Sequence, residues 1–300
     1  MALLTKASKR SGLSEAFWGY VFVAPWLIGL FALTLGPMLQ SLYLSMTRYH
    51  LLESPKWTGL ANYKEILLED DTFVQSLGVT FRYVLFSVPL KLAFALLVAM
   101  LLYRSIRGMA VFRSIYYLPS LIGGSLAIAA IWRNIFGMEG VVNKLLAFFG
   151  VAPMDWINLP DTSLTTLIAL AVWQFGSAMV IFLAGLKQIP NDLYEAAAVD
   201  GSSRIRTFFS VTIPMLTPII LFNLVMQTIN SFQMFTQAFV ITKGGPIDST
   251  LVYALYLYQK AFVFFEMGYA SGLAWILMLL IAAATAVIFI TSRKWVHYEN

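Results

Sequence analysis

Tyr194-Glu195-Ala196-Ala197-Ala198-Val199-Asp200-Gly201, continued by Ser202-Ser203-Arg204-Ile205-Arg206-Thr207-Phe208-Phe209-Ser210-Val211-Thr212-Ile213-Pro214, separates two long apolar runs. The stretch is rich in charge and small residues where its flanks are nearly uncharged, so it reads as a connection between two membrane spans. Pro190 ends the preceding segment, and Asp192 with Glu195 three residues later approximates a capping box. This pattern predicts a short helix over Leu193 to Val199 with Gly201 as its stop. Three consecutive alanines favour a helix and present almost no bulk, so another protein surface could approach closely. A helix of about two turns is marginal in water by itself. It needs something to dock against.

Working outward, the 300 residues are 59% hydrophobic and 12% charged, with a mean hydropathy of +0.76. That balance does not suit a soluble surface and makes this an integral membrane protein in contact with lipid. There is no cysteine, and His50 and His297 are the only histidines. Disulfides, thiolate metal sites and histidine clusters are set aside, and neither a metal site nor a catalytic residue is expected. The net charge of +5 lies in small groups beside apolar runs rather than along one face, so nucleic acid is not an expected partner.

Six stretches reach the roughly 20 residues a membrane helix needs: Phe17 to Ser45, Gly78 to Tyr103, Val111 to Trp132, Leu164 to Leu186, Val211 to Val240 and Met267 to Ile290. The first follows a basic tail of Lys6, Lys9 and Arg10, but is too long for a signal-peptide core and reads as a retained span. The predicted class is all-α, a polytopic membrane protein with six transmembrane helices rather than a barrel. Eleven Lys and Arg fall on the side of the termini and seven on the other, with Arg82 and Lys91 inside the second span. Both termini, and the opening stretch with them, are therefore expected in the cytoplasm.

Polar groups inside spans usually face the bundle interior or a wet cavity. Asn223, Gln227 and Asn230 fall at i, i+4 and i+7, with Gln233 further on, and the fourth span carries Trp173, Gln174 and Ser177. Amides beside an aromatic ring suit the hydroxyls and C–H faces of a sugar; the alternative is that they join helices to one another. Prolines 25, 37, 89, 119, 214 and 218 predict bent helices, and Trp18, Trp26, Trp132 and Trp295 read as interfacial anchors. Arg82 reads as snorkelling outward. Lys91 needs a partner or a wet cavity: an acid on a neighbouring permease is preferred, an anionic substrate is the other choice. No G-x-x-x-x-G-K-[ST] phosphate loop occurs, so this chain cannot cradle ATP in the usual way.

Glu195-Ala196-Ala197, then Gly201, then Val211-Thr212-Ile213-Pro214 resembles the cytoplasmic EAA loop of binding-protein-dependent ABC importer permeases, with Val211 and Ile213 where the family usually has Ile and Leu. Gly244-Gly245-Pro246, the Tyr256 to Phe262 stretch and Met267-Gly268-Tyr269-Ala270-Ser271 extend the likeness to the maltose-type, carbohydrate-importing branch. The resemblance implies a type I ABC importer permease fold: residues 1–72 as tail, first span and extracytoplasmic loop, and 73–294 as the five-helix core with its coupling loop at 189–214. Tyr194, Glu195, Ala196, Ala197, Ala198, Asp200, Gly201 and Pro214 would couple the chain to an ATPase. The substrate path would run past Trp173, Gln174, Ser177, Asn223, Gln227, Asn230 and Gln233. Implied partners are a second, related permease forming a heterodimer, two ATPase subunits, an extracytoplasmic solute-binding protein and a carbohydrate substrate, an oligosaccharide being the expectation. No cofactor would be bound by this chain, ATP and Mg sitting on the ATPases. A non-sugar solute such as glycerol phosphate, and more remotely an ion-coupled secondary transporter, remain as alternatives.

Overall fold

The computed structural model describes residues 8–103 and 108–297, with side chains from residue 17 onward. Of the basic residues counted for orientation, Lys6, Arg104 and Arg107 lie outside the described residues. The chain falls into two compact units, Met1–Glu65 with Lys260–Trp275 and Ile66–Gln259 with Ile276–Asn300.

In the first unit, α1 (Phe17–Ser45) carries a π-helical turn at Leu30–Leu35, and its apolar side chains are outward-facing, with Trp18 and Trp26 more than half exposed. Such exposure suits lipid contact. The short strands β1 (Thr47–Arg48) and β2 (Lys56–Trp57) pair antiparallel with Thr47 opposite Trp57. Buried Asn62, in α2 (Ala61–Leu68), donates to the carbonyls of Ser45 (2.8 Å) and Thr47 (2.9 Å), closing the turn after α1.

The second unit is built on α3 (Asp71–Leu102), 32 residues long. Asp70 caps it by accepting from the Phe73 N–H at 3.0 Å, and its other carboxylate oxygen accepts from the Tyr256 hydroxyl. Val88, Leu92, Ala95, Ala99 and Leu102 recur at the i, i+4, i+7 spacing of one helical face. They pack against Phe175, Ala178, Met179, Phe182, Leu183, Leu186 and Leu216 to form the core.

The remaining spans depart from straight rods. The third expected span is two helices, α4 (Met109–Ile122) and α5 (Leu126–Ile135), meeting at 100°. At 14 residues, α4 is about 21 Å long, short of the roughly 30 Å hydrocarbon core. Gly123 and Gly124 make the corner, and Ser125 restarts the helix by accepting from the Ile128 N–H at 3.3 Å. The short α6 (Val141–Phe148) follows. The fourth span is α7 (Pro160–Trp173) and α8 (Gly176–Leu186), bent by 41°. Trp132, expected as an interfacial anchor, ties α5 to α7, its indole N–H donating to the Thr166 carbonyl at 3.0 Å.

Next in the chain is the exposed helix α9 (Asn191–Val199), followed by α10 (Arg204–Phe232), which stops at Phe232 rather than running to Val240. A π-helical turn at Phe208–Thr212 precedes Pro214, which has no N–H to continue the ladder. Pro218 likewise cannot bond the Pro214 carbonyl one turn back, and the Thr217 hydroxyl takes that carbonyl at 2.6 Å. The backbone N–H of His297 donates to the same hydroxyl at 2.9 Å, docking the C-terminal segment on the bend. Helix α11 (Tyr253–Tyr258) and the last span α12 (Met267–Ser292) complete the chain. Among the described residues four helices are long and apolar enough to cross a membrane alone, or up to the expected six if each bent pair is one span.

Candidate functional site

The breaks in α7–α8 and α4–α5 face each other. Gly176, the first residue of α8, lets the α4 backbone come close: a Cβ there would sit 2.6 Å from the Tyr116 carbonyl oxygen and 2.8 Å from the Tyr117 Cα. Ser120 of α4 donates to the Gln174 carbonyl at 3.0 Å and accepts from the Ser177 N–H at 3.0 Å, so one hydroxyl satisfies both sides of the break. The Gln174 side chain crosses to the corner after α4, donating to the Gly123 carbonyl at 2.9 Å.

Beside this junction lies a pocket of about 320 Å³, lined by Tyr83 and Lys91 of α3, Ser120, Gln174 and Ser177, by Gln227, Asn230 and Ser231 of α10, and by residues 233–237 after its end. Gln227 is buried and Asn230 exposed on the same helical face, and Gln233 forms the C-terminal cap of α10. No hydrogen bond from the described residues occupies the side chains of Gln227, Asn230 or Gln233, leaving donors and acceptors free at the wall. Phe235 adds an aromatic side, its ring stacked on Phe239 (centroids 5.2 Å apart, 18° between planes) and tilted against Tyr258 at 5.0 Å.

Five of the seven residues expected along the path therefore line one pocket: Gln174, Ser177, Gln227, Asn230 and Gln233. Two do not. Trp173 packs on Trp132 with ring centroids 5.6 Å apart. Asn223 is fully buried, and neither its amide nitrogen nor its oxygen has a partner among the described residues. It shares the face of Gln227 but lies one turn nearer the start of α10, outside the lining of this pocket. Tyr83, Ser120 and Phe235 line the pocket without having been expected there. Tyr83 falls on the face of Lys91 two turns away, and Ser120 is a hydroxyl beside Pro119 in an apolar run; either could have been flagged. The Phe235 position follows only from the chain turning back after Phe232.

The second feature is α9 and the turn that ends it. The expected Asp192 cap is not made: the helix begins at Asn191, Pro190 occupies the cap position, and no side chain caps it. Pro190 already holds the extended backbone a cap residue needs, which leaves Asp192 in the first turn, where its charge favours the helix dipole. The C-terminus is a Schellman closure: the Ser202 N–H donates to Ala197 O (2.9 Å) and the Gly201 N–H to Ala198 O (3.1 Å), with Gly201 left-handed at φ +68°. Tyr194 anchors the helix inward, its hydroxyl 3.2 Å from the Thr212 hydroxyl and its ring against the core. Glu195, Ala196, Ala198 and Asp200 are exposed, as are the apolar Val199 (88%), Ile205 (74%) and Phe209 (65%).

A multi-span helical membrane protein whose helices break around a polar pocket is the architecture of a permease. The chain belongs to the family of binding-protein-dependent transport system inner membrane components, which matches residues 71–297, and is thus a multi-pass protein of the cell membrane. The resemblance drawn from the loop spacing is borne out. The probable ABC transporter permease protein YesP of Bacillus subtilis (strain 168) is 53% identical over 294 residues, covering 97% of this chain and 95% of that one. The arabinooligosaccharides transport system permease protein AraP of the same organism is 32% identical over 298 residues, covering 94% and 92%. The lactose transport system permease protein LacF of Rhizobium radiobacter is 32% identical over 285 residues, covering 92% and 94%. The fold is that of an ABC importer permease: a chain of a bacterial transporter for the acidic polysaccharide alginate superposes with a TM-score of 0.81 at 20% identity, covering 95% of this chain and 98% of that chain.

Proposed function

We propose that this chain is the membrane subunit of an ATP-driven oligosaccharide importer, pairing with a second, related permease and working with two ATPase subunits, which hold ATP and Mg, and a solute-binding protein. The observation that carries the reading is the pocket wall, where free amides and hydroxyls stand beside the stacked Phe235 ring inside an otherwise apolar bundle. Neutral groups that both donate and accept match sugar hydroxyls, and an aromatic face matches the C–H side of a pyranose. The names of AraP and LacF, permeases for arabinooligosaccharides and lactose, point the same way. Both termini and α9 lie on the cytoplasmic side in this reading. The exposed surface of α9 docks in the ATPase, whose closure switches the paired bundles between inward-facing and outward-facing states.

The test is ATP-driven uptake by the complete complex in proteoliposomes. Gln227→Leu and Asn230→Leu should each lower uptake about fivefold at limiting sugar, the effect of one hydrogen bond of about 1 kcal/mol. Complex assembly, read by co-purification, should stay intact. Normal uptake kinetics in both variants would mean that these amides only pack helices.

A further inference from the structure

Among the described residues Lys91 is the one charged side chain on the pocket wall, and the lining includes no acid. Among the described residues no carboxylate lies within ion-pair distance of it, and it makes no hydrogen bond. Arg82, the other cation of α3, falls on a different side of the helix, lining a separate cavity with Asp161. A cation in mid-span persists only with a counter-charge or in a wet cavity, and Lys91 has the cavity.

We infer that Lys91 is a specificity-determining residue that receives a carboxylate, so that the imported oligosaccharide is acidic, bearing uronate-type carboxyl groups on its rings. The inference rests on the reading of this pocket as the sugar path. A neutral sugar filling the pocket would strip water from the ammonium and return only dipoles, whereas a carboxylate returns a full charge in a low-dielectric site. The charge count also selects among anions. A carboxylate on one ring places a single negative charge beside this ammonium, its other carboxylates standing on separate rings, while a phosphate brings nearly two charges to one point and the lining holds no second cation. The first turn of α8 meets the pocket at Ser177, adding the positive end of a helix dipole to the same side. The amides then read the hydroxyls while Lys91 reads the acid.

The complete transporter with its binding protein, in proteoliposomes, is given an equimolar mixture of trigalacturonate, its fully methyl-esterified form, maltotriose and glycerol phosphate, and accumulation is read by mass spectrometry. The charged trisaccharide should accumulate at least about tenfold over its ester. Lys91→Met should remove that preference while the complex co-purifies normally, and Lys91→Arg should keep it. Equal accumulation of ester and acid, or an unchanged preference in Lys91→Met, overturns the inference and leaves the oligosaccharide reading standing. Loss of the second permease on purification of Lys91→Met overturns it too, by giving Lys91 an acid on that subunit as partner. Accumulation of glycerol phosphate alone, or of no trisaccharide, overturns the oligosaccharide reading itself.

Discussion

Gly201→Val should abolish ATP-driven uptake, whereas Gly201→Asn should retain most of it. Gly201 sits at φ +68°, and a Cβ added there would meet nothing within 4 Å. The obstacle to a side chain is therefore backbone conformation alone. A left-handed residue other than glycine costs about 1–2 kcal/mol, more when β-branched, while asparagine adopts this region readily. Valine would relax by opening the two Schellman bonds from Gly201 and Ser202, re-aiming a nine-residue helix that has no independent stability. The partner companion is Glu195→Lys. Glu195 is exposed and has no partner among the described residues, so charge reversal should leave the permease folded and lower ATPase co-purification. Uptake by Gly201→Val at the wild-type rate would show that the orientation of α9 does not matter, and full uptake by Glu195→Lys would remove the coupling role.

What could be read in advance follows from which physical quantities a sequence carries. Apolar length is additive along the chain, so the first, second and last spans appear close to where α1, α3 and α12 lie. Bending is not additive. Gly123-Gly124 in an apolar run leaves hydropathy unchanged yet turns the helix through 100°, because a corner depends on a facing surface, here Gln174 reaching the Gly123 carbonyl. The end of α10 at Phe232 was hidden for the same reason, since Ala238 to Ile241 are as apolar as the helix. Periodicity finds the face shared by Asn223, Gln227 and Asn230 but carries no information on where along it a pocket opens. Pro190 shows local chemistry in competition: Asp192 is the cap the pattern predicts, yet Pro190, with its dihedral already set, holds the position.

Gly176→Leu should destabilise the permease and sharply cut its recovery, and the reason links the fold to the pocket. At this residue three heavy atoms crowd an added Cβ, the Tyr116 carbonyl oxygen (2.6 Å), the Tyr117 Cα (2.8 Å) and the Ser120 hydroxyl (2.9 Å). Two of them are backbone and cannot turn aside, so α4 would have to move as a body. Overpacking alone costs about 1–3 kcal/mol, and separating the helices breaks both Ser120 bonds across the Gln174 to Ser177 break, each worth about 1 kcal/mol. Thermal unfolding in detergent should drop by several degrees on this scale, with little protein recovered from the membrane. Gly124→Leu is the matched control: a Cβ there meets nothing within 4 Å and no positive φ is required, so the variant should accumulate normally. A monodisperse Gly176→Leu permease with unchanged unfolding would show that α4 is free to shift. The contact that packs α4 on α8 also holds Ser120, Gln174 and Ser177 at the pocket wall. A milder Gly176→Ala should therefore lose uptake before it loses fold.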